Sequence, residues 1–172
     1  MYPKVIPNQP FREKPVGARA KLLEAGVALV REQGFAATSL DQLCQAAGVT
    51  KGAFFHHFPS KEALGVALAN YWSASTSAFF AAAPFHHLDD PLERVLGYID
   101  LRIALISGPV ESFSCVAGTM VQEAFRSSDA IRKACSASIL GNARILEEDL
   151  SVVIAHCGAS GVTAEGLARH AQ

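Results

Sequence analysis

Residues 38–58 have the sequence Thr38-Ser-Leu-Asp-Gln-Leu-Cys-Gln-Ala-Ala-Gly-Val-Thr-Lys-Gly-Ala-Phe-Phe-His-His-Phe58, and this stretch decides the fold. It contains two short helical patterns that meet at Gly48, and a hydroxyl residue that can cap a helix precedes each pattern. The second pattern follows Thr50 and carries Lys51 in its first turn. Two short helices joined by a tight turn that contains glycine form a helix-turn-helix, so the stretch predicts this motif.

The flanking sequence continues the helical pattern in both directions. Before the motif, apolar residues recur at helical spacing from about Val16, and Gly34 is placed to end that helix. Ser60 caps the helix that follows the motif, and Asp90 caps the next one, with proline at its first position. The later helices are predicted at residues 60–83, 91–107, 113–126 and 129–156, with a last one that begins at Thr163. The sequence contains no alternating strand pattern, so the predicted fold is all-α.

Charge is distributed unevenly along the chain, although its net charge is only −1. Residues 1–65 contain eight lysines and arginines against five acidic residues, while the remainder contains seven against eleven. Half of the 172 residues are apolar, which is enough for a sizeable core. A modestly basic N-terminal part on an acidic body suits a small DNA-reading head carried by a larger helical domain.

Several other classes of protein are disfavoured by the sequence. The N-terminus has no apolar segment of a secretory signal, so we expect a cytoplasmic protein. The uncharged stretch Ala63–Leu88 is long enough to span a bilayer, but the polar residues Asn70–Ser77 in its middle favour a helix packed among other helices. Neither flank carries a cluster of lysine or arginine to orient a membrane span.

The cysteines and histidines do not form a recognisable metal site. The four cysteines are widely spaced without a CxxC pair, which favours free thiols. The pairs His56-His57 and His86-His87 are adjacent in sequence, and adjacent residues on a helix diverge by about 100° and share no face. We therefore expect no metal and no cofactor.

Residues Ala18 to about Leu64 resemble the DNA-binding domain of the tetracycline-repressor-like (TetR) family of transcriptional regulators. The resemblance is carried by Glu32-Gln-Gly-Phe35, Ala37-Thr-Ser-Leu40, Ala46-Ala-Gly-Val-Thr-Lys-Gly52, Phe54-Phe-His-His-Phe58 and Ser60-Lys-Glu-Ala-Leu64. It implies a helix-turn-helix domain over residues 16–60 and a helical regulatory domain over 61–172. Residues 1–15 are predicted to be a flexible arm because their four prolines, at positions 3, 7, 10 and 15, do not allow a helix. The partners that the resemblance implies are a double-stranded DNA operator, a small-molecule effector and a second copy of the chain, and no enzymatic activity is expected.

The candidate DNA-binding residues follow from the helix starts and from the resemblance. Hydroxyl residues at helix N-termini and nearby cations favour phosphate, and a glycine in the first turn of the second helix allows close approach to DNA. Phe55 stands where the family commonly has a tyrosine that contacts phosphate, and phenylalanine cannot make that hydrogen bond. The candidates for base edges are Thr50, Lys51, Gly52 and Ala53, and those for the DNA backbone are Thr38, His56, His57 and Lys61.

The resemblance also implies an effector pocket. The family places it among the helices after the head, where this chain has Trp72, Phe79, Phe113, Met120, Gln122 and Phe125. Aromatic residues and methionine line small-molecule pockets, yet they also build ordinary helical cores, and both interpretations stay open. Only about nine residues follow Thr163, so the helices that form most of the family's dimer interface are expected to be incomplete in this sequence.

Three alternatives remain beside a ligand-responsive repressor. A helical protein-interaction module without DNA binding is compatible with Phe55 and with the mild charge bias. A thiol-responsive regulator would use Cys115 or Cys135. A small helical enzyme is disfavoured, because the sequence has no carboxylate pair, nucleophile elbow, phosphate loop or metal spacing.

Overall fold

Helices account for all the regular secondary structure that the computed structural model contains over residues 16–171, the part of the chain that it describes. This confirms the predicted all-α class. The predicted arm over residues 1–15 lies outside the described residues. The α-helices are Ala18–Gln33 (α1), Leu40–Ala47 (α2), Lys51–His57 (α3), Lys61–Ala81 (α4), Pro91–Leu105 (α5), Val116–Ala124 (α6), Asp129–Ala143 (α7), Glu147–Cys157 (α8) and Ala164–His170 (α9), with 3-10 turns at Pro84–His87, Val110–Ser112 and Arg144–Leu146.

Local sequence signals set the boundaries of the first four helices. Ser39 and Gln42 form a capping box at the start of α2, in which each side chain bonds the backbone N–H of the other residue. Gly48 ends α2 in the left-handed conformation, with φ of 62°. Thr50 and Ser60 then cap α3 and α4 with their side-chain oxygens. The short connections that result place α2 and α3 side by side.

The prediction of one long helix over residues 129–156 was wrong. The structure divides this segment into α7 and α8 at the 3-10 turn Arg144–Leu146. Gly141 and Asn142, both poor helix formers, stand just before the break. The Asn142 amide bonds the hydroxyls of Thr76 and Ser77 on α4, and the turn brings Leu146 into the interior. Tertiary contacts therefore end α7 where apolar periodicity alone would continue it.

The predicted start of α6 was also too early. The helix begins at Val116, where the Cys115 side chain caps it, rather than at Phe113. The residues before it form a separate 3-10 turn. The Ser114 hydroxyl donates to the Val110 carbonyl at 2.7 Å and so stabilises this turn.

Two hydrophobic clusters form the core, and the first one crosses from the head into the body. Phe54 and Leu43 of the head share it with Leu68 of α4, Met120 of α6 and Ile131 of α7. The second cluster lies at the other end of α4. It contains residues of α4, α5, α7, α8 and α9 and of the turns between them, namely Phe80, Ala83, Phe85, Val95, Tyr98, Ala143, Leu146, Leu150 and Ala168. The long helix α4 therefore connects the two clusters.

A largely buried ion pair fixes α5 against α8. The Arg94 guanidinium donates from Nε and Nη2 to Oδ1 of Asp149, at 2.8 and 2.6 Å. Its Nη1 donates to the carbonyls of Leu88 and Asp89, before the start of α5. One arginine thus joins the two helices and the segment that leads into α5. None of the helices over residues 16–171 combines the length and apolar character needed to cross a bilayer.

Candidate nucleic-acid interface

The second helix of the motif, α3, is anchored by the aromatic residues on its inner face. Phe54 has no exposed surface and Phe58 is buried, and their ring centroids lie 5.8 Å apart. The guanidinium of Arg19 on α1 lies 5.5 Å from the centroid of the Phe58 ring. The residues Phe54 and Phe58, four apart on a helix, point into the first cluster, so the opposite face of α3 must point outward.

That outward face consists of residues that the sequence predicted to contact DNA. Thr50, Lys51, Gly52, Phe55 and His56 are exposed, and Ala53 and His57 are half-buried. The Thr50 oxygen accepts from the backbone N–H of Ala53 at 3.1 Å, which orders the first turn. Phe55 is 52% exposed, so a large apolar side chain is part of this face. The structure thus leaves these candidates wholly or partly accessible on the side of α3 that points away from the core.

The charge at the start of α3 is paired within the protein. The Lys51 ammonium lies 2.7 Å from a carboxylate oxygen of Asp41 on α2, and both side chains are well exposed. The hydrogen bond to Asp41 raises the pKa of Lys51, so the lysine is cationic at neutral pH. Asp41 was not among the predicted site residues, because ten positions separate it from Lys51 and only the turn at Gly48 brings them together.

The first turns of α2 and α3 are therefore adjacent. Each carries a hydroxyl cap that is exposed, Ser39 in one case and Thr50 in the other. Helix N-termini present free backbone N–H groups and a positive dipole end, which together suit a phosphate. Sequence reasoning used Ser39 only as a helix cap, but its exposure makes it a further candidate for the DNA backbone.

Thr38 is the predicted backbone contact that the structure does not support. Its side chain is only 1% exposed, and its hydroxyl donates to the Gly34 carbonyl at 2.7 Å. The same hydroxyl accepts from the Gln33 amide at 3.3 Å. The Thr38 hydroxyl therefore caps the C-terminal end of α1 and is buried in the protein. The side chain of Ser39, the next residue, is exposed.

Lys61 also differs from its predicted role. Its ammonium donates to the Ala36 carbonyl at 3.2 Å and lies 4.7 Å from the centroid of the Phe35 ring. Burial lowers the pKa of Lys61, and the neighbouring carboxylate of Glu123 opposes this shift. In this conformation the charge faces the loop between α1 and α2, so a phosphate contact requires the side chain to turn away from that loop.

The six predicted ligand-binding residues lie in three different environments. Met120 and Trp72 belong to the first cluster, and Phe79 packs against the second. The other three, Phe113, Gln122 and Phe125, lie at the surface. The Arg31 guanidinium lies 5.5 Å from the centroid of the Trp72 ring. Ligand binding by these residues stays a prediction.

The thiols differ strongly in their environment. Cys44 and Cys135 are buried, whereas Cys115 and Cys157 are exposed. Burial raises the pKa of the Cys135 thiol to about 11. A thiol with so high a pKa is a poor nucleophile at neutral pH, which counts against Cys135 as a redox sensor. Over residues 16–171, no three side chains of the types His, Cys, Asp and Glu are grouped so that they could hold a metal ion.

The fold and this exposed helix are those of a helix-turn-helix protein with a helical body. Comparison of sequences leads to the same class, since residues 22–68 match the family described as bacterial regulatory proteins, tetR family. The match covers the head of this chain, which is similar to the DNA-binding domain of that family.

Curated relatives share mainly the head. The transcriptional regulator AcuR of Cereibacter sphaeroides is 35% identical over 72 residues, which cover 38% of this chain and 33% of AcuR. The transcriptional repressor NemR of Escherichia coli is 46% identical over 50 residues, covering 29% of this chain and 25% of NemR. These sequence matches thus span a third or less of the length of either relative. Both are named as regulators rather than as enzymes.

Solved structures show that the fold extends beyond the head. The reduced form of Escherichia coli NemR superposes with a TM-score of 0.75 at 24% identity, covering 90% of this chain and 80% of that one. A TetR-family regulator from Agrobacterium tumefaciens also gives 0.75, at 23% identity, covering 91% and 82%. The helical body of this chain therefore has the architecture of these regulators.

Proposed function

We propose that this protein is a DNA-binding transcriptional repressor that a small-molecule effector releases from its operator. The observation that supports this most is the division of α3 into two faces. Phe54 and Phe58 hold the inner face in the core, while Lys51, Gly52 and His56 are exposed on the outer one. A short helix presented in this way can enter a major groove with its N-terminal residues at the base edges.

The exposed residues divide into two groups by their chemistry. Thr50, Lys51, Gly52 and Ala53 stand at the N-terminus of α3, which is the end that meets the bases in a docked helix-turn-helix. Ser39, His56, His57 and Lys61 are the candidates for the DNA backbone. Backbone contacts set affinity without regard to sequence, whereas contacts to base edges set sequence preference.

Fluorescence anisotropy tests this function. The full chain is titrated against labelled DNA from the region upstream of its own gene and against scrambled DNA of the same length, at several salt concentrations. We expect tighter binding to the upstream DNA and a log–log salt slope of about −0.9 for each phosphate contacted. Binding that is equal on both DNAs, or absent on both, contradicts the proposal.

Two lysine variants test the division between the groups. We expect Lys51→Ala to change the preferred bases, and Lys61→Ala to weaken binding on all sequences alike, by several-fold. Lys133→Ala on α7 is the matched control, since Lys133 is exposed and pairs with Asp129 within the body. Equal, sequence-independent losses in both variants contradict the division.

A dimer is part of the proposal. One head contacts few phosphates, and two recognition helices about 34–36 Å apart match successive major grooves. Light scattering coupled to size-exclusion chromatography measures the mass of the free protein and of its DNA complex. We expect two copies per operator, and a complex with a single copy contradicts this part.

The effector can be sought with the protein's own fluorescence. The sequence has a single tryptophan, Trp72, and it is 8% exposed and packed beneath Arg31. A ligand that binds among α1, α4 and α6 changes the surroundings of this ring. We expect an effector from a screen of small apolar molecules to shift the emission of Trp72 and to weaken DNA binding over the same concentration range.

A further inference from the structure

Ala36, in the loop between α1 and α2, has both polar groups of its backbone held by side chains from later helices. Its N–H donates to Oε2 of Glu123 on α6 at 2.8 Å. Its carbonyl accepts from Nζ of Lys61 on α4 at 3.2 Å. We name this arrangement of Lys61, Ala36 and Glu123 the Ala36 clamp. It acts three residues before Ser39, where the helix-turn-helix begins.

Gly34 leaves space beside the clamp for the Glu123 carboxylate. Gly34 has φ of 89°, a conformation that favours glycine. A Cβ atom at this position would lie only 2.2 Å from Oε1 of Glu123, so a larger residue would displace the carboxylate. Lys61 is partly desolvated beside it and supplies the opposite charge. The absence of a side chain at Gly34 is therefore what lets Glu123 reach the loop.

A second contact joins the same turn of α4 to α7. Ser128, which caps α7, donates its hydroxyl to the carboxylate of Glu62. Glu62 is next to Lys61 in the chain, so the start of α4 is tied to the loop on one side and to α7 on the other. These side chains line an open groove of about 350 Å³ between head and body.

We propose that the Ala36 clamp sets the orientation of the head on the body, and that Glu123 is the positioning residue that links α6 to the DNA-binding surface. The proposal rests on the proposed function. Recognition helices in a dimer must keep a spacing of about 34–36 Å to reach successive grooves, so a change in the angle of the head lowers affinity. Glu123 accepts the hydrogen bond from the Ala36 N–H, just before the motif. A small rotation of the loop at this point changes the orientation of α2 and α3.

The test compares Glu123→Met with Glu123→Gln in the full chain. Methionine has nearly the length of glutamate but no oxygen to accept from Ala36, whereas glutamine retains an acceptor. Hydrogen exchange measures the protection of the Ala36 amide, and anisotropy measures affinity for the upstream DNA. We expect Glu123→Met to speed exchange at Ala36 and to lower affinity, each by roughly tenfold, and Glu123→Gln to stay within about twofold of the wild type.

Glu93→Met is the matched control, because Glu93 is an exposed glutamate on α5, a helix that packs against α8 and the turn Pro84–His87. If Glu123→Met does not fold, Glu123→Asp replaces it. Aspartate keeps the charge but is one methylene too short to hold Ala36, so we expect faster exchange and weaker binding again.

The possible failures are distinguishable. If the wild-type protein does not bind DNA, the proposed function is overturned. The proposed role of the clamp in DNA binding is then overturned as well. A wild type that binds, together with a Glu123→Met variant of unchanged affinity, overturns the clamp alone. Equal losses in the methionine and glutamine variants also overturn it, because the hydrogen bond from Ala36 would then not be the cause.

Discussion

At the scale of single residues, several contacts of the interface depend on partners that are distant in sequence. Lys51 was predicted from its place in the first turn of α3, and it is exposed there. Its pairing with Asp41 could not be predicted, because it depends on how α2 and α3 are packed. Asp41 therefore competes with a DNA phosphate for the ammonium group of Lys51.

Asp41→Asn should strengthen DNA binding by about two- to fivefold at low salt. The substitution removes the carboxylate that pairs with Lys51 and that also repels phosphate. The gain should shrink as salt is added, because both charges are exposed and are screened. Anisotropy at 50 and 300 mM salt measures it. Asp100→Asn on α5 makes the same chemical change on an exposed residue of the body, and an equal gain in that control contradicts the prediction.

The four thiols should react at very different rates. Cys115 and Cys157 are exposed, so we expect iodoacetamide to modify them first at pH 7.5. Cys135 has a pKa raised to about 11 by burial, so its rate should rise about tenfold per pH unit above neutral pH. Mass spectrometry of the peptides at each pH measures the four rates. Fast labelling of Cys135 at pH 7.5 in the folded protein contradicts this prediction.

The same thiol has a small effect on stability at high pH. Because its pKa is higher in the folded protein than in the unfolded chain, its contribution is fully present below the ordinary thiol pKa. The contribution is lost as the pH rises through the folded value of about 11.

At the scale of helices, the starts of α2, α3 and α4 were the most predictable boundaries. The capping residues Ser39, Thr50 and Ser60 identified α2, α3 and α4 from sequence, because a cap is a local interaction. The break between α7 and α8 was missed because its cause is tertiary. Asn142 hydrogen-bonds residues of α4, and this contact cannot be inferred from the sequence of residues 129–156 alone.

The contact between α5 and α8 also depends on a tertiary interaction. Asp149→Asn should lower the melting temperature by at least about 5 °C, since it leaves the partly buried Arg94 guanidinium without its counter-charge. Thermal unfolding followed by circular dichroism measures the change. The neighbouring Glu148→Gln alters an exposed residue of the same helix and should shift the melting temperature by less than about 2 °C. Equal shifts in the two variants contradict the prediction.

At the scale of the whole molecule, the sequence predicted the class and the architecture but not the division of the core. The motif in residues 38–58 and the helix caps were sufficient for an all-α fold with an N-terminal head. The role of Thr38 could not be predicted from sequence, because a hydroxyl beside a helix start is equally suited to bind phosphate or to cap the preceding helix. In the structure Thr38 is buried and its hydroxyl bonds Gly34 and Gln33, so it caps the preceding helix instead of facing DNA.

The first hydrophobic cluster has a consequence for how this protein melts. Because Leu43 and Phe54 share it with Leu68 and Met120, a fragment that ends at residue 60 exposes apolar side chains of its interior to water. Such a fragment should be unfolded when produced alone. In the full chain, heating should unfold the second cluster, around Phe80, as a separate cooperative unit. The amides nearer the start of α4 should then remain protected from hydrogen exchange.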